Sequence, residues 1–257
     1  MKKSMLIGIA AVPILALSAC SGGAADPSPA APSVSAGPAT LTKVTAGVIP
    51  IVDSAPIWLG KSKGFFEDEG LDLDIQTGSG GGALLPGVVA GSYDFAMGTT
   101  VSVMLARDKA LDIEFVSNEA TTAGAPKSQA VVVPKDSPIK TAADLAGKTV
   151  SVLALNSTVD VTIRAMVDED GGDSATVKFV EIPPPSTQAA VESKQVDAGW
   201  MLSPFLEMAV ANGDRVITYN FSEFSPNFTL SGYFTMTETV KNKPDMVKAF
   251  AAALGGC

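Results

Sequence analysis

Val88-Val89-Ala90-Gly91-Ser92-Tyr93-Asp94-Phe95-Ala96-Met97-Gly98-Thr99-Thr100 decides the fold, because its pattern returns from Val191 to Ser203 as VESKQVDAGWMLS. Each copy reads as the tail of a helix, a tight polar turn, an aspartate (Asp94 or Asp197), a short apolar strand and then small hydroxyl residues. That is the return leg of a βαβ unit, and the strand ends of open α/β sheets are where ligands bind. Two such units predict two similar lobes facing one another, with the candidate site in the cleft between them.

Composition bounds what such a cleft can do. The 257 residues fit one large or two small domains, and 46% hydrophobic residues are ample for buried cores. The chain contains no histidine, which removes the commonest general base, the usual zinc ligand and every Ser-His or Cys-His nucleophile pair. The formal charge is -9. Such a surface repels nucleic acid and anionic lipid headgroups. No carboxylate dyad, metal-ligand cluster or activated nucleophile stands out, so binding without chemistry, cofactor or metal is the expectation.

The amino-terminal residues read as an address. Lys2-Lys3 precede an apolar run from Met5 to Ala16, which is shorter than the roughly 20 residues that a spanning helix needs. Leu17-Ser18-Ala19-Cys20 follows and resembles the lipobox of bacterial lipoproteins, in which the cysteine is lipidated and becomes the new amino terminus. Acyl chains contribute about 0.8 kcal/mol per buried CH₂, so an acylated Cys20 would hold the protein on a membrane. Only Cys257 then remains, and no intrachain disulfide is expected. Residues 21 to 40 are mostly Ser, Gly, Ala and Pro and read as a disordered tether.

Beyond the tether, strands and helices alternate. Leu41 to Gly47 reads as a strand, Pro56 opens a helix that Gly64 stops, and Leu71 to Ile75 alternates apolar residues with Asp72 and Asp74. Gly78-Ser79-Gly80-Gly81-Gly82-Ala83 then matches the G-x-G-x-x-A spacing of a dinucleotide site. The acid required about 20 residues later is missing, since Gly98-Thr99-Thr100 stands at that strand end. What survives is a loop that admits a ligand close to the backbone, before a helix amino terminus. Further strands are predicted at 113–116, 129–133, 149–153, 177–182 and 215–218. A short helix is predicted from Thr141, as its N-cap, to Gly147, and others after Asn156-Ser157-Thr158, Pro185, Pro204 and Pro244.

The segments APIWLGKSKGFFEDEGLDLDI, GGALLPGVVAGSYDFAMGTT, VVVPKDSPIKTAADLAGKTVSV and AAVESKQVDAGWMLSPFLEMA follow one another as in substrate-binding proteins of ABC importers for nitrate, sulfonates and taurine. The chain resembles that family from Val44 to about Leu254; thiamine-precursor and other heterocycle binders belong to the same superfamily. The resemblance implies an α/β, two-lobe type II periplasmic-binding fold with two hinge crossings, at Gln129 to Val133 and Phe228 to Thr235. It divides the chain into a signal peptide and lipobox (1–20), a linker (21–40), lobe one (41–130), lobe two (131–227) and a return to lobe one (228–257). Family members continue further, so a truncated chain, an incomplete lobe one and exposed apolar surface on it are expected.

The function so implied is capture of a small molecule by an exported, lipid-anchored monomer that delivers it to an ABC permease with a cytoplasmic ATPase. Two alternatives are a lipid-anchored ligand sensor and a relative of the pyrimidine synthase of thiamine biosynthesis; the export signal and the absence of histidine oppose the second. Candidate ligand contacts in lobe one are Val52, Asp53, Ser54, Gly80, Gly81, Thr99 and Thr100. In lobe two they are Asn156, Ser157, Thr158, Trp200 and Ser203. Hydroxyls and amides would orient the ligand, and Trp200 would offer a flat face. Asp53 is either solvated or pairs with an amino group of the ligand. Thr99, Ser157 and Thr158 read equally as helix caps. Trp58 reads as core, and Arg164 as a surface residue.

Overall fold

The structure is a computed structural model that describes residues 40–78, 81–123 and 127–256, and for residues 81–83 the backbone only. The leader with Cys20, nearly all of the linker, Gly80 and Cys257 lie outside the described residues.

In chain order, β1 (Thr42–Val48) leads through a single 3₁₀ turn at Val52–Ser54 into α1 (Ala55–Lys63), α2 (Phe65–Asp68) and β2 (Leu71–Thr77). The glycine-rich loop feeds α3 (Gly81–Val89), then come β3 (Phe95–Thr99), α4 (Thr100–Asp108) and β4 (Ile113–Thr121). A second series follows: β5 (Gln129–Val133), β6 (Thr149–Val152), α5 (Thr158–Glu169), β7 (Lys178–Glu181), α6 (Pro184–Glu192), β8 (Ala198–Leu202), α7 (Phe205–Ala211), β9 (Arg215–Thr218) and α8 (Asn220–Phe224). The chain closes with β10 (Thr229–Met236), α9 (Thr237–Asn242) and α10 (Pro244–Gly255).

These strands form two five-stranded sheets, ordered β2-β1-β3-β10-β4 and β7-β6-β8-β5-β9. Each has two parallel pairs, and in each the strand after the third position runs antiparallel to its neighbours. The second sheet shows why its strands read as continuous apolar runs, since it is buried on both faces. Val131, Val133, Ala198, Trp200 and Leu202 join the main core with Val159 and Ile163 of α5, while Ala130, Val132 and Met201 join Val191 of α6 and Leu206 of α7. The alternation along β5 and β8 is the period of two that a strand imposes.

The repeated sequence pattern is a repeated structure. Gly91 turns the chain out of α3 with φ of 74°, and Lys194 does the same after α6 with φ of 60°. A glycine tolerates this left-handed conformation, whereas a lysine there costs roughly 1–2 kcal/mol. Asp94 N–H donates to Thr45 O at 2.9 Å and its Oδ2 accepts from Thr45 N–H at 3.0 Å. Asp197 makes the same pair of bonds with Thr149, both at 2.8 Å. Each aspartate therefore latches the start of its strand onto the neighbouring parallel strand.

The chain passes between the sheets after β4 and again at 225–228, before β10. The strands Gln129–Val133 and Thr229–Met236 that follow these crossings are interior members of their sheets. Thr122 ties the crossings together: its N–H donates to Phe228 O at 2.8 Å, its Oγ1 accepts from Phe228 N–H at 2.7 Å, and its hydroxyl donates to Ser225 O at 2.7 Å. The hinge strands named from the sequence thus lie one step beyond the connections themselves.

Two further expectations need correction. Residues 141–147 hold only a 3₁₀ turn, Ala143–Leu145, and Thr141 does not cap it; instead the Asp144 carboxylate accepts from the N–H groups of Lys140 and Thr141. Trp58 is 42% exposed on α1 and not core. Exposed large apolar side chains occur in both series, Trp58, Leu59 and Met104 in the first and Leu155, Val161, Met208 and Val210 in the second. Among the described residues no helix is long and apolar enough to cross a membrane.

Candidate functional site

Between the two sheets lies a cavity of about 340 Å³, within the usual size range of small-molecule sites. The first series contributes Ile49, Ile51 and Asp53 from the loop after β1, and Thr99, Ser102 and Val103 from the start of α4. The second contributes Leu153 to Val159 from the loop and first turn of α5, with Gln129, Trp200 and Phe221. The walls are mainly apolar, so the few polar groups set what orientation a ligand can take.

Two helix amino termini meet at one end. Thr99 is the N-cap of α4, its Oγ1 accepting from Ser102 N–H at 3.2 Å. Ser157 caps α5, its Oγ accepting from Val159 N–H at 3.2 Å, while Asp160 returns the favour by accepting from Ser157 N–H at 2.6 Å. This reciprocal capping box fixes the helix start. Thr158 then bridges the seam: its N–H reaches Thr99 Oγ1, and its own Oγ1 accepts from Val101 N–H and donates to Leu230 O, each at 3.4 Å. The two lobes are therefore in hydrogen-bond contact across the cavity.

Trp200 forms part of the wall and is 4% exposed. Its indole N–H donates to Asn220 Oδ1 at 3.1 Å, and Asn220 Nδ2 donates to Thr162 Oγ1 at 2.8 Å. Phe221 packs edge-on against the indole with centroids 5.8 Å apart. The ring is fixed by groups behind it, which leaves its cavity side ready-made.

A third polar region is acidic. Asp53 lines the cavity and accepts from Gln129 Nε2 at 3.2 Å. Burial raises its pKa, and the Gln129 hydrogen bond only partly opposes that. Behind it Glu119 occupies a bulge of β4, where the register against β10 passes from Ala120 opposite Ser231 to Asn118 opposite Gly232. The bulge turns Glu119 inward. Burial pushes its pKa up to about 8, the Asp53 charge adds to the rise, and the hydroxyls of Ser231 and Tyr233 work against it. Among the described residues no group of three or more His, Cys, Asp or Glu is placed to hold a metal ion.

Of the residues singled out from sequence, Asp53, Thr99, Asn156, Ser157, Thr158 and Trp200 line this cavity. Val52, Ser54, Thr100 and Ser203 do not. Val52 is 52% exposed, and Ser54 is buried with its hydroxyl donating to Ile51 O. Thr100 donates to Thr229 O at 2.6 Å, and Ser203, ahead of the cis bond to Pro204, donates to Glu207 at 2.5 Å. Gly81 opens α3, and Gly80 lies outside the described residues. Arg164 bonds the carbonyls of Ser174 and Val177 and sits over the Phe179 ring, away from the cavity.

Sequence reasoning missed Glu119, Ser102 and Ser231, and saw Gln129 only as the start of a strand. Ser117-Asn118-Glu119 looks like polar loop after an apolar strand, and a bulge breaks the alternation that would have placed Glu119 inside. Ser102, three residues after the N-cap Thr99, carried a usable signal.

A family model described as NMT1/THI5 like matches residues 51–255. YtlA of Bacillus subtilis (strain 168), provisionally assigned as a binding protein, is 37% identical over 75 residues, 28% of this chain and 22% of its own. An aliphatic sulfonates-binding protein of Escherichia coli (strain K12), also a provisional assignment, is 28% identical over 138 residues, 52% of this chain and 40% of its own. The chain thus spans less than two thirds of the length of these relatives. In fold it is similar to the alkanesulfonate-binding protein SsuA of Xanthomonas axonopodis pv. citri bound to MOPS, with a TM-score of 0.71, 19% identity and coverage of 83% of this chain and 72% of that one. The periplasmic nitrate-binding protein NrtA of Synechocystis PCC 6803 gives a TM-score of 0.69, 19% identity and coverage of 83% and 60%.

Proposed function

The chain belongs to the NMT1/THI5 like family, and on that premise we propose that it is the solute-binding component of an ABC importer, capturing a small molecule between two lobes without transforming it. The observation that carries this reading is a cavity whose walls come from strand-end loops of both of two like-built sheets. The relatives that are named as binding proteins support it. Lobe one comprises residues 41–121 with the return segment from Thr229 on, and lobe two residues 129–224, with the crossings between them. The lobes close on the ligand about the crossings tied at Thr122, and the closed state is stabilised by contacts to both sides.

Asp53, Thr99, Asn156, Ser157, Thr158 and Trp200 form the ligand's surroundings in this reading. Cys20, lipidated at the end of an export signal, anchors a monomer to the outer face of the membrane, and residues 21–40 tether it there. The partner is a permease with a cytoplasmic ATPase. A thermal-shift screen of sulfonates, nitrate, amino acids and nitrogen heterocycles tests the reading. A true ligand at a hundredfold excess over Kd stabilises by about 2.7 kcal/mol. Chemical turnover of any of these compounds would contradict it.

A further inference from the structure

We propose that the solute held in this cavity presents N–H donors, as an amine, an amidine or an amino-substituted heterocycle does, and that the site discriminates against sulfonate and nitrate. The inference rests on the solute-binding reading above and concerns only the chemistry of the ligand.

The backbone donors that the two helix starts would offer an oxyanion are already occupied. At the two helix starts the N–H groups of Val101 and Ser102 point to the hydroxyls of Thr158 and Thr99, and those of Thr158 and Val159 to the hydroxyls of Thr99 and Ser157. The anion-binding capacity of a helix amino terminus lies in such unpaired N–H groups. Here those of Val101 and Thr158 serve the seam between the lobes, and those of Ser102 and Val159 serve the caps of their own helices.

The acceptors, by contrast, are in surplus. Gln129 directs its Nε2 to Asp53, which fixes the amide so that Oε1 is left as a bare acceptor. That oxygen is buried without a partner, and the residue is only 9% exposed in the cavity wall. The Asp53 carboxylate is part of the same wall, with Glu119 behind it and close enough for its charge to be felt. A buried acceptor without a donor, beside a desolvated carboxylate, is costly to leave unmatched. One N–H-bearing head would satisfy Gln129 Oε1 and Asp53 together, whereas sulfonate or nitrate would add acceptors to acceptors and negative charge to negative charge. The basic residue of the wall, Lys109, is exposed just after α4 ends, so its charge is solvated and balances little of this.

Benzamidine and benzenesulfonate, which carry opposite heads on the same ring, separate the possibilities. Isothermal titration of the full chain is expected to give benzamidine at least a tenfold lower Kd than benzenesulfonate. Asp53→Asn should erase that preference while the ligand-free melting temperature stays measurable. Glu119 faces Asp53 and Tyr233, and its ionisation near pH 8 adds a second negative charge. Benzamidine binding should therefore tighten from about pH 6 to about pH 9, and Glu119→Gln should flatten that trend. Tighter binding of benzenesulfonate overturns the proposal and leaves solute binding intact. Silence from both probes also overturns it, and the wider screen decides separately whether the cavity binds any solute.

Discussion

Laid over one another by strand order, the two sheets match position for position, and their rims differ. Asp94 corresponds to Asp197, Met97 to Trp200, and Thr100 to Ser203, counting from the shared pairing of β3 with β1 and of β8 with β6. In the first lobe the strand passes through the hydroxyl cap of Thr99 into α4, which borders the cavity. In the second it passes through the cis Ser203–Pro204 bond into α7, which packs in the separate cluster behind the sheet. The loop after β2 is rich in glycine, while the loop after β7 is Pro183-Pro184-Pro185. The scaffold is duplicated, and the site is built from unequal edges.

If that correspondence is physical, equivalent substitutions should behave in predictable ratios. Trp200→Ala removes a buried aromatic together with its bond to Asn220, and should cost about 3–5 kcal/mol in chemical denaturation. Met97→Ala, at the matching strand position and also in the cavity wall, should cost about 2 kcal/mol. A harmless Trp200→Ala would mean that the indole is not part of the framework.

The acidic corner at Asp53 and Glu119 belongs to the first lobe, and a pH series can report on it. Glu119 is held neutral in the fold up to about pH 8 and ionises from about 4.5 when exposed. Its contribution to stability is therefore fully present below pH 4.5 and is lost progressively as pH rises to about 8. The change should be on the order of 5 kcal/mol at most. Glu119→Gln should remove that slope and leave the protein more stable than wild type at pH 8. An unchanged slope would place the carboxylate in water.

The aspartate latches give the smallest and most symmetric test. Asp94→Ala and Asp197→Ala should each cost about 1 kcal/mol, for one hydrogen bond to a backbone N–H. The Lys243 ion pair at 3.6 Å adds a few tenths at most to the Asp94 value, because that lysine is exposed. A large inequality would break the equivalence of the two lobes.

The parts that sequence made visible are those that local rules govern. Gly64 and Gly147 take left-handed φ where a helix was read to stop, and Ser157 and Thr99 cap helices as hydroxyls do. The paired Asp94 and Asp197 stretches disclosed the duplication. Long-range packing was less accessible. Asn220 is fully buried because it links Trp200 to Thr162, yet nothing near it in the chain announces this. Ser54, Thr100 and Ser203 carry hydroxyls at strand ends like Thr99, and only the tertiary structure shows that theirs turn to carbonyls or to Glu207 instead of the cavity. Glu119 was hidden by a bulge, which moves one side chain across the sheet without changing the composition around it.

The two-sided grip is the central claim, and titration of the tightest compound from the screen into two variants tests it most directly. Thr99→Ala alters the wall from lobe one, and Asn156→Gly alters it from lobe two while keeping the left-handed backbone at φ of 53°. Both should raise Kd about tenfold, equivalent to about 1.4 kcal/mol. Full affinity retained in either variant would contradict a ligand held between the lobes.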